Sequence, residues 1–460
     1  MRYSVSRKAN WFARDGTWAV CLLAVGCHSI PTKLGGDLVS CELQPRVGHS
    51  IRMEFECSKP VLPSGVVLAE GVSEDQAVAV ALWNNAQFLE SLTDLGVAEA
   101  DLIQAGLLPN PEFVYFPPVP ERSFKYLFDL QLEALWLRGL RTEAARLEAA
   151  RVAKRLVQSA LDLMRDVRIA HSDVLLAKER LRIADESMQL RKRIADLARR
   201  RLEAGDISPQ ESSTAAIDAL QAEQDALRLT NDLPIVEERL RHLMGINASR
   251  EPLIVASSAP SPAFDVDVDT LAEGGMATRP DALAAEFNCR AAQERLKLVK
   301  VNWFRLLFIG DATSGPHTHT FGPGFRITLP IFNWNQGAVA RAEAEWTRAC
   351  RQRETVRQQI MLDVQRAYRQ HRQAVAELAM LRTKVQPEVE IAIRRNQKAY
   401  EEGNFNYLLV LEATRQLLDS QTREAQLEAD VRRTWAELER SVGGRLTRPV
   451  VTVPEEAIHQ

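Results

Sequence analysis

Leu202-Glu-Ala-Gly205-Asp-Ile-Ser208 and, 198 residues later, Tyr400-Glu-Glu-Gly403-Asn-Phe-Asn406 are the two stretches on which the reading of this chain turns. A helical pattern leads into each glycine and another leads out, so each stretch reads as the apex of a helical hairpin. Gly205 and Gly403 supply a left-handed C-cap, which a residue without Cβ adopts freely, and Ser208 and Asn406 supply the side-chain oxygen that caps the next helix. Gly139 and Gly337 each stand 66 residues before an apex. Two arms of equal length, each preceded by a strand-like segment, indicate tandem duplication of one unit about 200 residues long, too long for a solenoid repeat.

The first arm, Leu140 to Ala204, contains neither Gly nor Pro. At the helical rise it spans roughly 100 Å. Its apolar positions step in fours and threes through Leu156, Ala160, Leu163, Val167, Ala170, Val174, Ala177, Leu181, Ala184 and Met188. After a break at Arg191 they resume at Ala195, Ala198 and Leu202, a heptad seam rich in Ala that permits close helix approach. The second arm carries Ile360, Val364, Ala367, Ala374, Leu378, Leu381 and Val385, with Pro387 as an internal kink, and a last helix covers about Tyr407 to Ser441. Pro209 suits the first turn of the return helix, and Pro234 is expected to kink it.

Ahead of the arms, Ser73-Glu-Asp-Gln76 reads as a capping box. The helix after it is expected to break near Thr93 to Gly96 and to stop at Gly106-Leu-Leu-Pro109-Asn-Pro111. Glu112 to Phe116 is a short strand. Phe124 to Trp136 alternates with period two: Phe124, Tyr126, Phe128, Leu130, Leu132, Ala134 and Trp136 on one face, and Lys125, Leu127, Asp129, Gln131, Glu133 and Leu135 on the other, which carries most of the charge. In the second copy the strands are expected at Phe304 to Asp311 and Phe321 to Phe332, with Phe325, Ile327, Leu329 and Ile331 alternating with Arg326 and Thr328. The 198-residue offset would set apolar Ile327 against polar Asp129, so a bulge or a one-residue shift separates the strand copies. Apolar side chains to lipid and polar ones to a wet lumen are what a transmembrane barrel requires. Half of a soluble sandwich is the alternative, but nothing else in the chain supplies a second sheet.

Lys and Arg balance Asp and Glu to a net charge of −3, which argues against a nucleic-acid binder. No apolar run is long enough for a spanning helix. The eight His residues are scattered without nucleophile or zinc spacing; His317-Thr-His319 reads as a surface turn. No enzyme, metal centre or cofactor is expected. Residues 1–27 look like an export signal, ending in Leu22-Leu-Ala-Val-Gly26-Cys27. That ending resembles a lipobox and would make Cys27 a lipid anchor; an ordinary cleaved signal is the alternative. Cys41 and Cys57 could pair in an oxidising compartment, and Cys289 and Cys350 have no metal-ligand spacing. The expected domains are residues 28–72 as an extended N-terminal segment, 73–246 and 271–442 as the two repeats, 247–270 as the linker and 443–460 as a disordered tail.

Four strands cannot close a barrel, and a lone sheet would leave unpaired edges in lipid, so closure needs further chains: two, three or four would all give an even strand count. The order of elements and several motifs resemble the outer-membrane efflux protein family of TolC-like channels, across roughly residues 73 to 442. In the first half these are Ala105-Gly-Leu-Leu-Pro-Asn-Pro111, Gly205-Asp-Ile-Ser208 and Leu243-Met-Gly245. In the second they are Arg279-Pro-Asp281 with Ala284-Ala-Glu286, Leu329-Pro-Ile-Phe-Asn-Trp-Asn-Gln-Gly337, and Tyr400 with Gly403-Asn-Phe-Asn-Tyr407. The resemblance implies a mainly α fold of duplicated coiled-coil hairpins with four transmembrane strands per protomer. It further implies a homotrimer with a 12-stranded outer-membrane barrel and a tunnel across the periplasm, whose apices dock a periplasmic adaptor bound to an inner-membrane efflux pump.

On this reading Leu202, Gly205, Ile207, Ser208, Tyr400, Gly403, Phe405, Asn406 and Tyr407 make the docking tip, although Ile207 and Phe405 can equally fold back to staple the hairpins. Glu401 and Glu402 are candidates for an acidic ring at the tunnel entrance, or else a solvated surface. The lipid face comprises Phe124, Tyr126, Phe128, Leu130, Leu132, Trp136, Phe325, Ile327, Leu329 and Ile331. A passive exit duct is the leading function. A soluble coiled-coil scaffold without a pore is the alternative; it would fractionate without detergent.

Overall fold

Helix caps and strand registers set the boundaries of a chain that is mostly helix with one small sheet. The computed structural model describes residues 34–51, 60–119, 124–247, 253–256, 266–314, 319–401 and 407–446. Its elements run α1 (Leu34–Val47), α2 (Glu74–Asn84), α3 (Ala86–Gly106), β1 (Glu112–Phe116), β2 (Phe124–Gln131), α4 (Glu133–Glu203) and α5 (Pro209–Leu243). They continue as α6 (Val268–Thr278), α7 (Pro280–Val301), β3 (Leu306–Ser314), β4 (His319–Ile327) and α8 (Gln336–Met380). A π-helical turn (Leu381–Val385), α9 (Gln386–Glu401) and α10 (Tyr407–Val442) complete it. Cys27, and the apex residues 402–406 with Glu402, Gly403, Phe405 and Asn406, lie outside the described residues, as does His317.

Several boundaries differ from the sequence reading. Residues 28–72 are not extended throughout, since α1 is a helix whose Val39, Leu43 and Val47 join the main core. The break expected at Thr93 to Gly96 falls instead at Asn85. Its side chain accepts from Phe88 N at 2.9 Å and donates to the Leu243 carbonyl at 2.9 Å, capping α3 and tying it to the end of α5. Gly96 meets open space and interrupts nothing. The Ser73 capping box forms as expected, with Gln76 N donating to Ser73 Oγ at 3.2 Å and Ser73 N donating to Gln76 Oε1 at 2.9 Å.

The first arm starts earlier than Leu140. β2 stops at Gln131, Leu132 N donates to Leu306 O at 2.9 Å, and the buried Glu133 carboxylate accepts from Leu306 N at 3.2 Å. From there Ala134, Leu137, Ala144 and Leu147 are buried at helical spacing. Leu132 and Trp136 are therefore not strand residues: over that short stretch a period of two and a helical period select overlapping positions. α4 is unbroken for 71 residues, about 105 Å at the helical rise. Pro387 has its effect one turn upstream, where five residues adopt π geometry and Gln386 N reaches Leu381 O. Pro234 stays inside α5.

The core lies where α1, α2 and α3 pack on the middle of α4, around Leu82, Leu161, Met164 and Leu240; a second cluster joins α6, α8 and α10 around Ile360, Val364 and Leu438. Charges are buried here only with partners, as burial of a bare ion would be prohibitive. Arg168 faces Glu74, Asp75 and Glu439. Arg279, 1% exposed, binds Asp281 at 3.0 Å, the Ser441 carbonyl at 3.0 Å and Asp363 at 3.5 Å. Gly245 closes α5 at φ +69 with its α-carbon against the Asn84 backbone, so closely that a Cβ would come within 2.1 Å of the Asn84 carbonyl oxygen. The expected linker is held in part by a parallel bridge of Val255 to Val72, and α6 begins at Val268 inside it. The first tail residues are packed: Arg445 N donates to Arg46 O at 3.1 Å.

Cys289 on α7 and Cys350 on α8 form a disulfide, while Cys41 is a free thiol. The pairing of Cys41 with Cys57 that the sequence left open involves Cys57, which lies outside the described residues. Spacing along the sequence could not reveal the Cys289–Cys350 pair, because these two cysteines meet only after the β3–β4 hairpin doubles the chain back.

Candidate functional site

The sheet is a four-stranded antiparallel meander in the order β1-β2-β3-β4. Cross-strand partners share a face, and here every Asp, Glu, Lys and Arg of the strands falls on one of the two faces. Phe113 pairs with Phe128 and Tyr115 with Tyr126; Leu130 pairs with Phe308; Phe308 pairs with Phe325, Ala312 with Phe321 and Leu306 with Ile327. Phe124 lies on the same face, its ring 6.2 Å from that of Tyr115. Tyr115 also stacks on Tyr126 at 5.3 Å, and Phe308 meets Phe325 edge-on at 5.7 Å. This face is turned outward: Phe321 is 71% and Phe325 64% exposed. The opposite face is mixed: it carries Lys125, Asp129, Gln131, Asp311, Thr313 and Arg326, with ion pairs Lys125–Asp311 at 2.8 Å and Arg326–Asp129 at 3.9 Å, and among them the apolar Val114, Phe116, Leu127, Leu307 and Ile309.

Six of the ten residues expected on the apolar face, Phe124, Tyr126, Phe128, Leu130, Phe325 and Ile327, are thus brought together. The other four stand below the sheet: Leu132 and Trp136 at the start of α4, Leu329 and Ile331 in the segment between β4 and α8. Both ladders are continuous, so no bulge separates the strand copies. The one-residue shift is taken up at the exits instead, where β2 passes almost directly into α4 but residues 328–335 intervene before α8. Around those exits Phe332 is 91% exposed, and Trp303 stacks on Trp334 at 5.8 Å.

At the far end of α4 the described apex has the geometry its sequence calls for. Gly205 takes φ +82; its N–H donates to Leu202 O at 3.0 Å and Asp206 N donates to Arg201 O at 2.8 Å, the paired bonds of a Schellman C-cap. Ser208 then caps α5, accepting from Glu211 N at 3.3 Å while Glu211 returns a bond to Ser208 N at 3.3 Å, with Pro209 in the first turn. Gly205 and Ser208 are exposed, whereas Leu202 and Ile207 are half-buried against their own hairpin. Tyr400, Glu401 and Tyr407 are helical in backbone and flank the undescribed second apex.

Two features escaped the sequence reading. The paired charges across the sheet needed the register to find them. A second stripe on α5, made of exposed Ile217, Leu220, Leu227 and Ile235, lies opposite the Ala215, Ala219, Ala222 and Ala226 seam that packs on α4; its near-heptad spacing was the available signal. The burial of the α4 seam also fades toward the apex. Leu156 to Val174 are buried; beyond them Ala198 is buried too, but Ala177, Leu181, Ala184, Met188, Ala195 and Leu202 are only half-buried in one chain.

No catalytic arrangement accompanies these surfaces. Among the described residues there is no cluster of three or more potential metal ligands, and no helix is long and apolar enough to cross a membrane. A polar groove of about 300 Å³ between α4, α7 and α8 contains Ser159, but that hydroxyl donates to the Arg155 carbonyl at 3.1 Å and no His lines the groove. His171 is buried with Nε2 3.1 Å from the Val72 carbonyl, and burial holds its pKa below the ordinary value. His371 is buried 3.2 Å from the Thr434 hydroxyl. Both are core histidines.

Residues 135–246 and 276–444 match the family model described as outer membrane efflux protein. The chain is 26% identical over 380 residues to the cobalt-zinc-cadmium resistance protein CzcC of Cupriavidus metallidurans, covering 79% of this chain and 88% of that one. It is 25% identical over 347 residues to the pyoverdine export outer membrane protein OpmQ of Pseudomonas putida, covering 69% and 70%. The crystal structure of a membrane protein from Pseudomonas aeruginosa superposes with a TM-score of 0.71 at 18% identity, over 85% of this chain and 99% of that one.

Proposed function

The chain belongs to the outer membrane efflux protein family, and on that premise we propose that it is the passive exit duct of a tripartite export system: three copies close a 12-stranded barrel, and their helical hairpins form a tube across the periplasm to an adaptor and an inner-membrane pump. The observation that carries this reading is the two-faced sheet. A soluble protein would not turn an aromatic sheet face to water, and β1 and β4 leave edges that only another strand can satisfy in lipid. Repetition of the sheet around an axis joins β4 of one copy to β1 of the next. The aromatic face then meets lipid, and the Lys125–Asp311 and Arg326–Asp129 pairs line a wet lumen.

The helical surfaces support the same assembly. The Ile217, Leu220, Leu227 and Ile235 stripe and the half-buried outer part of the α4 seam are apolar surface left for neighbouring copies. Leu202, Gly205, Ile207 and Ser208, with Tyr400, Gly403, Phe405, Asn406 and Tyr407 of the second hairpin, form the adaptor-facing tip. Glu401 and Glu402 stand at the tunnel entrance, Cys27 is the lipid anchor, and 73–246 and 271–442 are the two repeats. The names of the two relatives refer to different cargoes, metal ions in one and pyoverdine in the other, in keeping with a duct that leaves the choice of cargo to its pump.

Crosslinking tests the reading. A cysteine at Ser208, carrying a short bifunctional reagent, should capture an adaptor subunit in cells, while the same reagent at mid-arm Glu179 should not. Equal capture at both positions, or capture at neither, would contradict it.

A further inference from the structure

We propose that Cys289–Cys350 is an assembly staple, introduced in the periplasm by a partner protein that carries a reactive disulfide, and that it sets the spacing at which the second membrane hairpin enters the barrel. The bond joins residues 61 apart, and the covalent ring so closed contains all of β3 and β4. It therefore ties α7, which leads into the hairpin, to α8, which leads out of it, 17 residues before β3 and 23 after β4.

The two repeats explain why only one carries it. In the first, α3 is held on α4 by Phe88, Leu92 and Leu95, all part of the main core. In the second, the corresponding helix α7 presents mostly alanine. The cluster around the disulfide consists of Cys289, Ala292 and Ala349 with Cys350 against it, flanked by the ion pairs Arg353–Glu286 at 2.9 Å and Lys300–Glu343 at 2.8 Å. Alanine contributes little apolar area and half-exposed ion pairs contribute little in water. The covalent bond reinforces an α7–α8 contact that is mostly alanine. It acts chiefly by restricting the chain before assembly, when both strands are still free to separate.

The chemistry is a thiol–disulfide exchange. One cysteine, as thiolate, attacks a sulfur of the partner's disulfide to give a mixed disulfide; the second thiolate then displaces the partner, which leaves as a dithiol. The chain loses two electrons and two protons and the partner gains them. Cys289 is buried once α7 has docked, so exchange precedes docking. Cys41 remains a free thiol. An exporting compartment supplies such oxidants; the proposal rests on the periplasmic reading above.

The test uses the full chain in its native cells, comparing Cys289→Ala/Cys350→Ala, Cys41→Ser and the unaltered protein, each with and without the cell's periplasmic dithiol oxidant. In the unaltered assembled protein, Cys289 and Cys350 should resist a maleimide until a reductant is added. The double alanine variant should accumulate as outer-membrane oligomer at a level about fivefold lower. Removing the oxidant should lower the unaltered protein equally and the double variant no further, and Cys41→Ser should match the unaltered protein. Free thiols in the assembled protein, a double variant at full level, or additive losses would overturn the staple. Failure of the duct reading looks different: the unaltered protein would be absent from the outer membrane.

Discussion

Arginine placed at two adjacent positions of β2 separates a barrel strand from any other kind. Leu127 and Phe128 sit at the middle of the strand and hence at the same depth, but on opposite faces: Leu127 is paired with Val114 and Asp311, Phe128 with Phe113 and Gly310. Phe128→Arg would put a guanidinium among Phe113, Tyr126 and Phe321 with no carboxylate on that face. A cation on the lipid side near the bilayer centre costs about 2–4 kcal/mol, or about 30- to 1,000-fold in the folding equilibrium. Leu127→Arg would put the same group beside Asp311 and Asp129 facing a wet lumen, at a cost of less than about 1 kcal/mol. The assay is urea unfolding of each variant from phospholipid vesicles, together with the amount of oligomer recovered from outer membranes. The expected result is a large loss for position 128 and little for 127. Equal losses, or the greater loss at 127, would refute the assignment of faces.

Three further outcomes follow from the helical part. Gly245→Ala should destabilise the fold by at least about 2 kcal/mol, through its positive φ and its contact with Asn84, whereas Gly96→Ala, on an open helix surface, should be neutral or slightly stabilising; thermal unfolding of the two side by side checks this. His171 has its pKa lowered chiefly by burial, so the unfolded chain takes up the proton first. Its contribution is full above pH 6.5, the ordinary value, and is lost as pH falls toward the depressed folded value. Melting curves between pH 7.5 and about 5 should show a shallower acid loss for His171→Leu than for the unaltered chain, and an unchanged slope would refute the role. Gly205→Val with Gly403→Val should leave the outer-membrane oligomer intact and abolish export; export at the normal level would remove the apices from the docking surface.

What the sequence made legible was what local chemistry decides. The Gly205 C-cap, the Ser208 N-cap, the Ser73 capping box, Pro209 in the first turn and the alternation along β2 each depend on a few neighbouring residues, and each stands in the structure as read. The misreadings share a cause: two local rules competed and the tertiary partner chose. At Leu132 to Trp136 strand and helix periods coincide until the Leu306 backbone ends the strand. At Asn85 an ordinary polar residue became a cap because the end of α5 lies beside it. The disulfide, the ion pairs across the sheet and the outward stripe of α5 depend on which segments meet, and a single sequence does not carry that information.

The central claim is that this chain's four strands are one third of a closed barrel from which the α4 and α8 arms extend as a tube. Electron cryomicroscopy of the detergent-extracted full chain tests it most directly. The expected map has threefold symmetry, β1 of each copy hydrogen-bonded to β4 of its neighbour, the aromatic face in the detergent belt and the apices gathered at the far end, about 100 Å away. A map with a free β1 or β4 edge, or with Phe128 and Phe325 facing the lumen, would contradict it.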